Sequence, residues 1–399
     1  MIGRARDRRR PGRSERPGFV WFAAQDWWYH NQAHSDFQLM REMARHRPVL
    51  VVNSLGLRLP TPGTTSHAGR RIVRKLRSMA KLVRRPVPDL PGFHVMTPVM
   101  LPLYGDTAGA RFNAWLVRQQ VRLVARLVGV GRAPHVGVTI PTGWPVARSM
   151  RRSSLIFNRS DLHSAFPGAD GAWVSGLEDA LLRHSDRVLY VSHELMKLDV
   201  DVVGARGAFL DHGVDLTHFS PDGGVHPELA DVPAPVLGFF GGLDDYVVDV
   251  ELLRRTAAEN PDVSVVLVGD ATCDMAPLTA LPNVRWLGYR PYAEIPSLGR
   301  GFDVALMPWL DNEWIRFANP VKLKEYLALG LHVVSTSYPE VEAYRDRITV
   351  AADRERFPEL ARQALEARRD GAALRASVTD CSWSERAADL ARLADGTAD

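Results

Sequence analysis

The second half of the chain alternates short apolar segments with helical ones, and this alternation restricts the possible fold more than any other feature. Helical patterns such as Val250–Glu259 separate the apolar segments. Continuous apolar runs of this length, joined through helices, are typical of a parallel sheet covered on both faces. We therefore predict a six-stranded, doubly wound α/β domain. Its strands are Val236–Phe240, Val263–Val268, Val284–Leu287, Val304–Met307, His332–Ser335 and Ile348–Val350.

The first half repeats this pattern less regularly and predicts a second, mostly parallel sheet with helices on both faces. Ser35 and Gln38 have the spacing of a helix capping box, whereas the stretch from Asn53 to Tyr104 has no clear alternation. The predicted strands are Phe19–Ala24, Val49–Asn53, Val136–Ile140, Ser154–Phe157 and Arg187–Val191. The predicted helices are Ser35–His46, Arg111–Val128 and Glu178–His184.

A chain of 399 residues is long for one core, so two domains are expected. Two such sheets would face each other across a cleft at the carboxyl ends of their strands, where open α/β sheets bind ligands. The predicted parts are a disordered basic tail (1–18), an N-terminal Rossmann-like acceptor domain (19–206), a linker (207–235), a C-terminal Rossmann-like nucleotide-sugar domain (236–380) and a last helix that crosses back to the first domain (381–399).

The composition is that of a globular protein, with 46% hydrophobic and 24% charged residues. Cys273 and Cys381 are its two cysteines, which indicates a reducing compartment rather than a disulfide framework. No apolar run is long enough to span a bilayer, and Phe19–Ala24 is too short for a signal-peptide core. We therefore expect a cytoplasmic protein.

The basic tail is accompanied by no nucleic-acid-binding motif, so no nucleic-acid partner is expected.

Positive charge is concentrated in the segment Arg70–Arg85, RRIVRKLRSMAKLVRR, which has eight basic residues and no acidic one. Its apolar residues recur at helical spacing, which predicts a basic amphipathic helix. Such helices can lie on an anionic membrane surface. The alternative is a solvated helix that packs its apolar stripe on its own domain.

The segment Phe317–Thr336 combines a predicted helix with side chains suited to a nucleotide. Asn319 is a good N-cap for this helix. Lys322 and Glu325 are three residues apart, so they share a face near the helix N-terminus, where anions bind. A lysine adds charge for a diphosphate, and a carboxylate can accept hydrogen bonds from the two hydroxyls of a ribose. The alternative is an ordinary pair of surface charges.

The order of motifs in the second half resembles the nucleotide-binding half of the two-Rossmann-domain (GT-B) glycosyltransferases. More narrowly, it is similar to the retaining family 4-like (group 1) enzymes, which include teichuronic-acid and other cell-surface polysaccharide transferases. The first half resembles them in shorter pieces: QDW (Gln25–Trp27), FNRSDLHSAF (Phe157–Phe166) and HGVDLTHF (His212–Phe219). The motifs of the second half are GFFGGLDD (Gly238–Asp245), NVRWLGYRPYAEIP (Asn283–Pro296), FDVALMPW (Phe302–Trp309) and NPVKLKEYLALGLHVVST (Asn319–Thr336).

The resemblance implies a nucleoside-diphosphate sugar as donor and a glycan or lipid-linked acceptor. It matches Glu325 to the glutamate that binds the donor ribose, and makes Lys322 a diphosphate ligand with a catalytic role. For Tyr289 and Arg290 near the nucleobase, loop packing is an equal alternative. The implied donor-binding residues are Gly241, Gly242, Tyr289, Arg290, Arg316, Asn319, Lys322 and Glu325.

This sequence departs from the family pattern at two places. Phe317 stands where the family often has a first glutamate, and Asn319 or Glu313 are the candidates to replace it. The arginine and lysine that often follow the glycine-rich loop are replaced by Asp244–Tyr246. Arg316 and the helix lysine would then supply the local positive charge. The sequence does not identify the donor sugar, and a catalytically inactive member of the family is an alternative interpretation.

No His/Cys cluster or acidic motif singled out in the sequence requires a metal, so neither a metal nor another cofactor is expected. In a retaining reaction, a phosphate oxygen of the leaving group can take the acceptor's proton, whereas inversion needs a side-chain base. Asp161 and His163 are the candidate bases; alternatively, Asp161 caps a turn and His163 packs. The aromatic loop Asp26–Tyr29 is a candidate acceptor platform or a domain-core cluster.

Three functions fit these patterns. The first is a glycosyltransferase acting on a cell-surface glycan or glycolipid. The second is a sugar-nucleotide epimerase of the same architecture, which needs no acceptor. The third is a non-catalytic nucleotide-sugar-binding protein, for which the missing glutamate is the argument.

Overall fold

The structure is a computed structural model that describes residues 16–29, 34–56, 73, 76–101, 107–166, 170–367 and 369–396. Residues 1–15 of the expected tail, and part of the basic segment at 70–85, lie outside these residues. Within them the chain forms two α/β domains, each built on its own sheet. No helix in the described ranges is both long and apolar enough to cross a bilayer.

The first domain contains an eight-stranded sheet with the order β3-β4-β2-β1-β5-β6-β7-β8. All neighbouring strands are parallel except β3 and β4, which confirms the predicted mostly parallel sheet. The chain reverses direction across the sheet between β1 and β5, which creates a crevice at their carboxyl ends. The strands are β1 Phe19–Phe22, β2 Val49–Val52, β3 Val83–Arg84, β4 Phe93–Met96, β5 His135–Val138, β6 Ser154–Arg159, β7 Arg187–Tyr190 and β8 Gly207–Phe209.

Helices cover both faces of this sheet, and the apolar residues of β1 are completely buried between them. The predicted capping box at α1 is wrong, because His34 is the N-cap residue and no side chain caps the helix. Ser35 is instead the first helical residue, which turns the next residue, Asp36, inward toward the sheet. The helices are α1 Ser35–Met43, α2 Thr107–Leu127, α3 Trp144–Ala147, α4 Gly171–His184 and α5 His193–Val203.

Two edges of the first sheet differ from the sequence-based expectation. The helix predicted for Arg70–Arg85 ends early: residues 76–80 are helical, Leu82 has a φ of +49°, and β3 then pairs with β4. The left-handed backbone at Leu82 ends the helix and turns the chain onto the sheet edge. At the other edge, β8 pairs with β7 inside the range expected to be linker. Edge strands this short depend on their partner rather than on their own sequence pattern.

The second domain contains a six-stranded parallel sheet with the order β11-β10-β9-β12-β13-β14. This confirms the predicted doubly wound sheet and has its switch point between β9 and β12. The strands are β9 Val236–Phe240, β10 Ser264–Val268, β11 Val284–Trp286, β12 Val304–Met307, β13 His332–Thr336 and β14 Thr349–Ala351. The helices are α6 Val250–Glu259, α7 Ala276–Thr279, α8 Ile295–Gly299, α9 Glu313–Arg316, α10 Val321–Ala328, α11 Phe357–Glu366 and α12 Gly371–Ala376.

The last helix, α13 (Trp383–Asp395), packs on the first domain rather than on the second. Its buried residues Trp383 and Leu390 belong to the core cluster of the first domain, beside α1. At its end, Asp395 accepts a 2.9 Å hydrogen bond from the buried guanidinium of Arg47. The two domains are therefore joined both by the linker and by this helix.

Candidate functional site

Glycines bring two loops into close contact at the switch point of the second sheet. Gly241, directly after β9, has a φ of +134°, and Gly269, directly after β10, has a φ of +145°. A Cβ on Gly269 would lie 1.8 Å from the carbonyl oxygen of Gly241, so no other residue fits there without moving the backbone. These two conformations leave the carboxyl ends of both strands open to a ligand.

Lys322, in the first turn of α10, lies against this glycine loop. Its Nζ is 4.7 Å from the ring centroids of both Phe239 and Trp309. A Cβ on Gly241 would lie 2.2 Å from the same Nζ, so the glycine makes room for the ammonium. Burial lowers the pKa of Lys322 to about 8, although the carboxyl groups of Glu325 and Asp244 oppose the shift.

Glu325, one turn further along α10, is buried at 9% exposure. Burial raises the pKa of its carboxyl group to about 7, with Lys322 opposing the shift. Within the described ranges, neither of these two side chains has a hydrogen bond or an ion pair within 4 Å. An ordinary surface pair does not fit this burial. A buried carboxylate and a half-buried ammonium that lack hydrogen bonds and ion pairs are typical of a binding site.

Tyr292 completes this side of the pocket, and sequence reasoning did not identify it. Burial and the nearby carboxylate of Glu325 raise the pKa of its phenol. Its ring stacks on His218 at 4.4 Å, and its carbonyl oxygen is 3.0 Å from the His218 Nε2. Tyr289, 50% exposed on the loop after β11, lies near the same sheet edge. The motif YRPY contains both tyrosines, so the sequence offered a signal for the second.

The guanidinium groups of two predicted donor ligands have other partners. Arg290 binds Glu228 of the linker at 2.6 Å and donates to the carbonyl of Leu287. Arg316 is 64% exposed and lies 3.3 Å from Glu194 of the first domain. The contacts of Arg290 match the loop-packing alternative, and the donor-binding role of Arg316 stays a prediction.

The position of the family's first glutamate serves the contact between domains instead. Phe317 is 8% exposed and packs into the core cluster of the first domain. Asn319 donates hydrogen bonds of 2.7 Å to the carbonyl of Val191 and 2.8 Å to Asp211. The predicted N-cap role of Asn319 is wrong, since Pro320 is the N-cap residue and no side chain caps α10. The other candidate replacement, Glu313, is exposed at the start of α9.

Lys324, between the two pocket residues, faces away from the pocket. It is 1% exposed, and its Nζ lies 2.8 Å from the Asp211 carboxylate in the linker. Across the same boundary, the backbone N–H of His193 donates to Glu340. The sequence analysis did not single out these contacts, which hold α10 in a fixed position relative to the first domain.

On the first-domain side, the two candidate bases differ in their surroundings. His163 is 4% exposed, and burial lowers its pKa to about 3, so its imidazole is neutral at pH 7. Its backbone N–H donates to Glu178, which places it beneath α4; this matches the packing alternative. Asp161 is mostly buried, and burial raises its pKa to about 7 against the hydrogen bond from Ser160. Of the two, Asp161 has the pKa of a general base.

A buried carboxylate that the sequence analysis missed lies at the switch point of the first sheet. Asp36 is completely buried and accepts hydrogen bonds from the Trp21 indole at 2.9 Å and the Thr139 hydroxyl at 2.6 Å. His34 lies 4.0 Å from it, and burial lowers the pKa of that imidazole. The position of Asp36 in the helix directly after the first strand was the available clue.

The aromatic loop at residues 26–29 is mainly part of the domain core. Trp27 is 6% exposed and packs edge-on against Phe37 at 5.1 Å. The Asp26 carboxylate accepts a 2.7 Å hydrogen bond from Ser78. These contacts match the core alternative for Trp27.

The described residues contain no group of three or more His, Cys, Asp or Glu side chains placed to hold a metal, and both cysteines are unpaired.

Comparison with known proteins identifies the second domain. Residues 234–370 match the family model "Glycosyl transferases group 1". Over 108 residues the chain is 35% identical to TuaH of Bacillus subtilis (strain 168), a putative teichuronic acid biosynthesis glycosyltransferase. That match covers 26% of this chain and 27% of TuaH, so the aligned part spans about a quarter of that relative.

Two solved structures match almost the whole chain. HepE of Anabaena, in complex with UDP and glucose, superimposes with a TM-score of 0.66 at 14% identity, over 95% of this chain and 100% of HepE. Sucrose-phosphate synthase of Thermosynechococcus elongatus gives a TM-score of 0.69 at 13% identity, over 96% of this chain and 99% of the synthase. At these identities the likeness shows the fold. The chain therefore has the GT-B fold, and its C-terminal domain is similar to the group 1 glycosyltransferases.

Proposed function

We propose that this protein transfers a sugar from a nucleoside-diphosphate sugar to an acceptor hydroxyl. The observation that carries the proposal is the half-buried Lys322 and the buried Glu325, neither with a hydrogen bond or ion pair in the described ranges, beside the glycine loop at the switch point. Support for the donor class comes from HepE, which was solved with UDP and glucose. Support for a cell-surface glycan or glycolipid as acceptor comes from the name of TuaH.

The donor would bind with its diphosphate at Lys322 and the glycine loop. The ammonium and the backbone amides after β9 carry the positive potential that a diphosphate needs, and the N-terminus of α10 adds to it. Glu325 would accept hydrogen bonds from the ribose hydroxyls. Negative charge grows on the leaving diphosphate as its bond to the anomeric carbon breaks, so the lysine stabilises the transition state. This scheme needs no bound metal.

Nucleotide affinity should be greatest between about pH 7 and pH 8. Glu325 must be ionised to accept two hydrogen bonds, which requires a pH above its pKa of about 7. Lys322 must be protonated, which requires a pH below its pKa of about 8. Calorimetric titration with UDP from pH 6 to pH 9 measures the profile. Glu325→Gln is the control: its nucleotide affinity should not fall as the pH drops below about 7, because the titrating carboxylate is gone. A wild-type profile without a maximum would contradict the assignment.

The proton of the acceptor hydroxyl has two possible destinations. If the reaction retains configuration, as the family resemblance implies, an oxygen of the departing diphosphate takes it. If the reaction inverts configuration, Asp161 takes it, since its raised pKa of about 7 suits a base at neutral pH. In both cases the acceptor oxygen forms the new bond to the anomeric carbon.

Asp161→Asn should lower turnover and leave donor affinity unchanged. The amide keeps the shape of the side chain but cannot accept a proton, and the residue lies on the first domain, whereas the proposed donor ligands lie on the second. Turnover is measured as nucleotide released in the presence of acceptor, and affinity by calorimetry. Asp179→Asn, an exposed carboxylate on α4, is the matched control. Wild-type turnover in Asp161→Asn would remove this residue from the mechanism.

A non-catalytic nucleotide-sugar-binding role is the second candidate. Phe317 fills the contact between the domains where the family often has a glutamate, so no carboxylate from that position reaches the donor sugar. Proton NMR of UDP-sugars with the protein, before and after addition of lipid-linked acceptors, separates the candidates. Acceptor-dependent release of UDP supports the transferase. A change in the sugar without acceptor indicates an epimerase, and binding without any change indicates the non-catalytic role.

Cytoplasmic location and membrane contact through Arg70–Arg85 stay predictions. The helical part of this segment that the structure describes is short, at residues 76–80. Flotation with vesicles tests the contact.

A further inference from the structure

We propose that the outer face of α2 docks the protein on an anionic lipid bilayer. The proposal deepens the function above, because it rests on an acceptor that is held in a membrane. The first observation is the exposure of large apolar side chains on this face: Phe112 is 45% exposed, Trp115 47% and Leu123 58%. The opposite face of α2 is already buried, with Val117 at 1% and Val121 at 0% exposure. The exposed residues are therefore additional to the stripe that the core needs.

Four arginines are interleaved with these apolar residues, and α2 contains no acidic residue. Within the described ranges none of the four forms a hydrogen bond or ion pair. They are Arg111, Arg118, Arg122 and Arg126. A cluster of unneutralised arginines attracts anionic headgroups, while exposed Trp and Phe side chains insert at the boundary between headgroups and hydrocarbon.

Residues 99–101 extend the same surface beside α2. Val99 is 37% and Leu101 40% exposed. The Gln120 side chain binds both the N–H and the carbonyl of Val99, at 2.9 and 2.8 Å. The Asn113 side chain does the same for Leu101, at 3.0 Å each. The backbone polar groups of both exposed apolar residues are therefore satisfied by side chains, as an apolar environment requires.

The position of this surface relates it to the cleft. Residues 99–101 follow the carboxyl end of β4, and α2 starts there before running back along the sheet. Phe112 and Trp115 consequently lie in the half of the helix nearer the edge where the cleft opens. A bilayer on this face would hold a lipid-linked acceptor close to the pocket.

Charge favours a bilayer over the other possible occupants. A second copy of the chain packed through this face would bring the two sets of arginines together, and like charges repel. A nucleic acid would neutralise the arginines but would not bury the side chain of Leu123 away from water. An anionic bilayer accommodates both the charge and the apolar area.

The test is flotation of the full chain with vesicles of phosphatidylcholine, with and without phosphatidylglycerol. Two double variants change the surface: Phe112→Ser with Trp115→Ser, and Arg122→Gln with Arg126→Gln. The matched controls are Trp173→Ser, 49% exposed on α4, and Arg151→Gln, an exposed arginine elsewhere on the first domain.

Wild type and both controls should float with the anionic vesicles and not with the neutral ones. The aromatic double variant should lose most of this binding. The arginine variant should lose about 5-fold for each charge removed, the equivalent of about 1 kcal/mol per arginine near an anionic surface. The arginine variant alters only exposed side chains, so it keeps the test valid if the aromatic variant fails to fold.

Equal flotation of wild type and both double variants would overturn the proposal, including the case in which Arg70–Arg85 alone carries the binding. Binding that ignores lipid charge would also overturn it. Light scattering that shows a wild-type dimer, and a monomer for the aromatic variant, would overturn it as well.

UDP binding without vesicles is measured on the same proteins: normal affinity with lost flotation supports the docking face. Absence of UDP binding in wild type would count against the proposed function instead.

Discussion

Replacing Glu325 by glutamine will weaken nucleotide binding at pH 8 by about 1–3 kcal/mol, or roughly 5- to 150-fold, the scale for losing hydrogen bonds to a charged group. Glutamine keeps the length of the side chain but removes the charge and one of the two acceptor oxygens. The residue is buried beside the phenol of Tyr292, where water cannot easily replace the lost interaction. Calorimetry with the nucleoside diphosphate measures the change.

The same variant should be more stable than wild type when no nucleotide is bound. Burial raises the pKa of Glu325 to about 7 from 4.5, so the folded state binds this proton more tightly than the unfolded state. The resulting stability is present below about pH 4.5 and is lost as pH rises through about 7. Above that pH the ionised carboxylate is a cost that glutamine avoids.

Thermal unfolding of Glu325→Gln at pH 8 should therefore occur at a higher temperature than that of wild type, with a smaller increase on adding nucleotide. Glu366→Gln, at the end of α11 and outside the pocket, is the control and should match wild type in both respects. Unchanged affinity in Glu325→Gln would remove this residue from the donor site.

Replacing Gly241 by alanine should lower nucleotide affinity by at least about tenfold and destabilise the fold by about 1–3 kcal/mol, the usual cost of a strained backbone conformation. Its φ of +134° is one that residues with a Cβ rarely adopt. The new Cβ would also lie 2.2 Å from the Nζ of Lys322, so the ammonium must leave its place between Phe239 and Trp309. The variant thus changes the glycine loop and the lysine together.

Gly242→Ala is the matched control in the next position. Gly242 does not have a positive φ, and a Cβ there would meet only the end of the flexible Asp244 side chain, at 2.7 Å. Because alanine keeps the backbone N–H that would bind the donor, we expect affinity and stability close to those of wild type, measured by calorimetry and chemical unfolding. If the two alanine variants behaved alike, the close fit of Gly241 against the lysine would not explain the result.

The second domain could be predicted closely because its strands are buried on both faces. Strands β9 and β12 and helix α6 have the predicted bounds, since an apolar run between turn residues defines a central parallel strand by itself. The sequence analysis did not identify β3, β4 or β8. Two of these are edge strands of two or three residues, and their conformation depends on a neighbour that the local sequence does not reveal.

The pocket could be predicted only where residue type and helix position decide the geometry. Lys322 and Glu325 follow from their spacing on one helix. The partners of Asn319, Arg290 and Arg316 could not be predicted, because they belong to the linker or the first domain. A single sequence shows what a side chain can bind, but not which distant group the fold brings beside it.

The most direct test of the central claim is a thermal-unfolding comparison with UDP, GDP, dTDP and CMP, since a ligand that binds only the folded state raises its unfolding temperature. It is made on wild type, Gly241→Ala and Gly242→Ala. The account predicts that a nucleoside diphosphate stabilises wild type and Gly242→Ala, and stabilises Gly241→Ala much less. Stabilisation by no nucleotide, or equal stabilisation of both glycine variants, would contradict a donor site at Lys322 and the glycine loop.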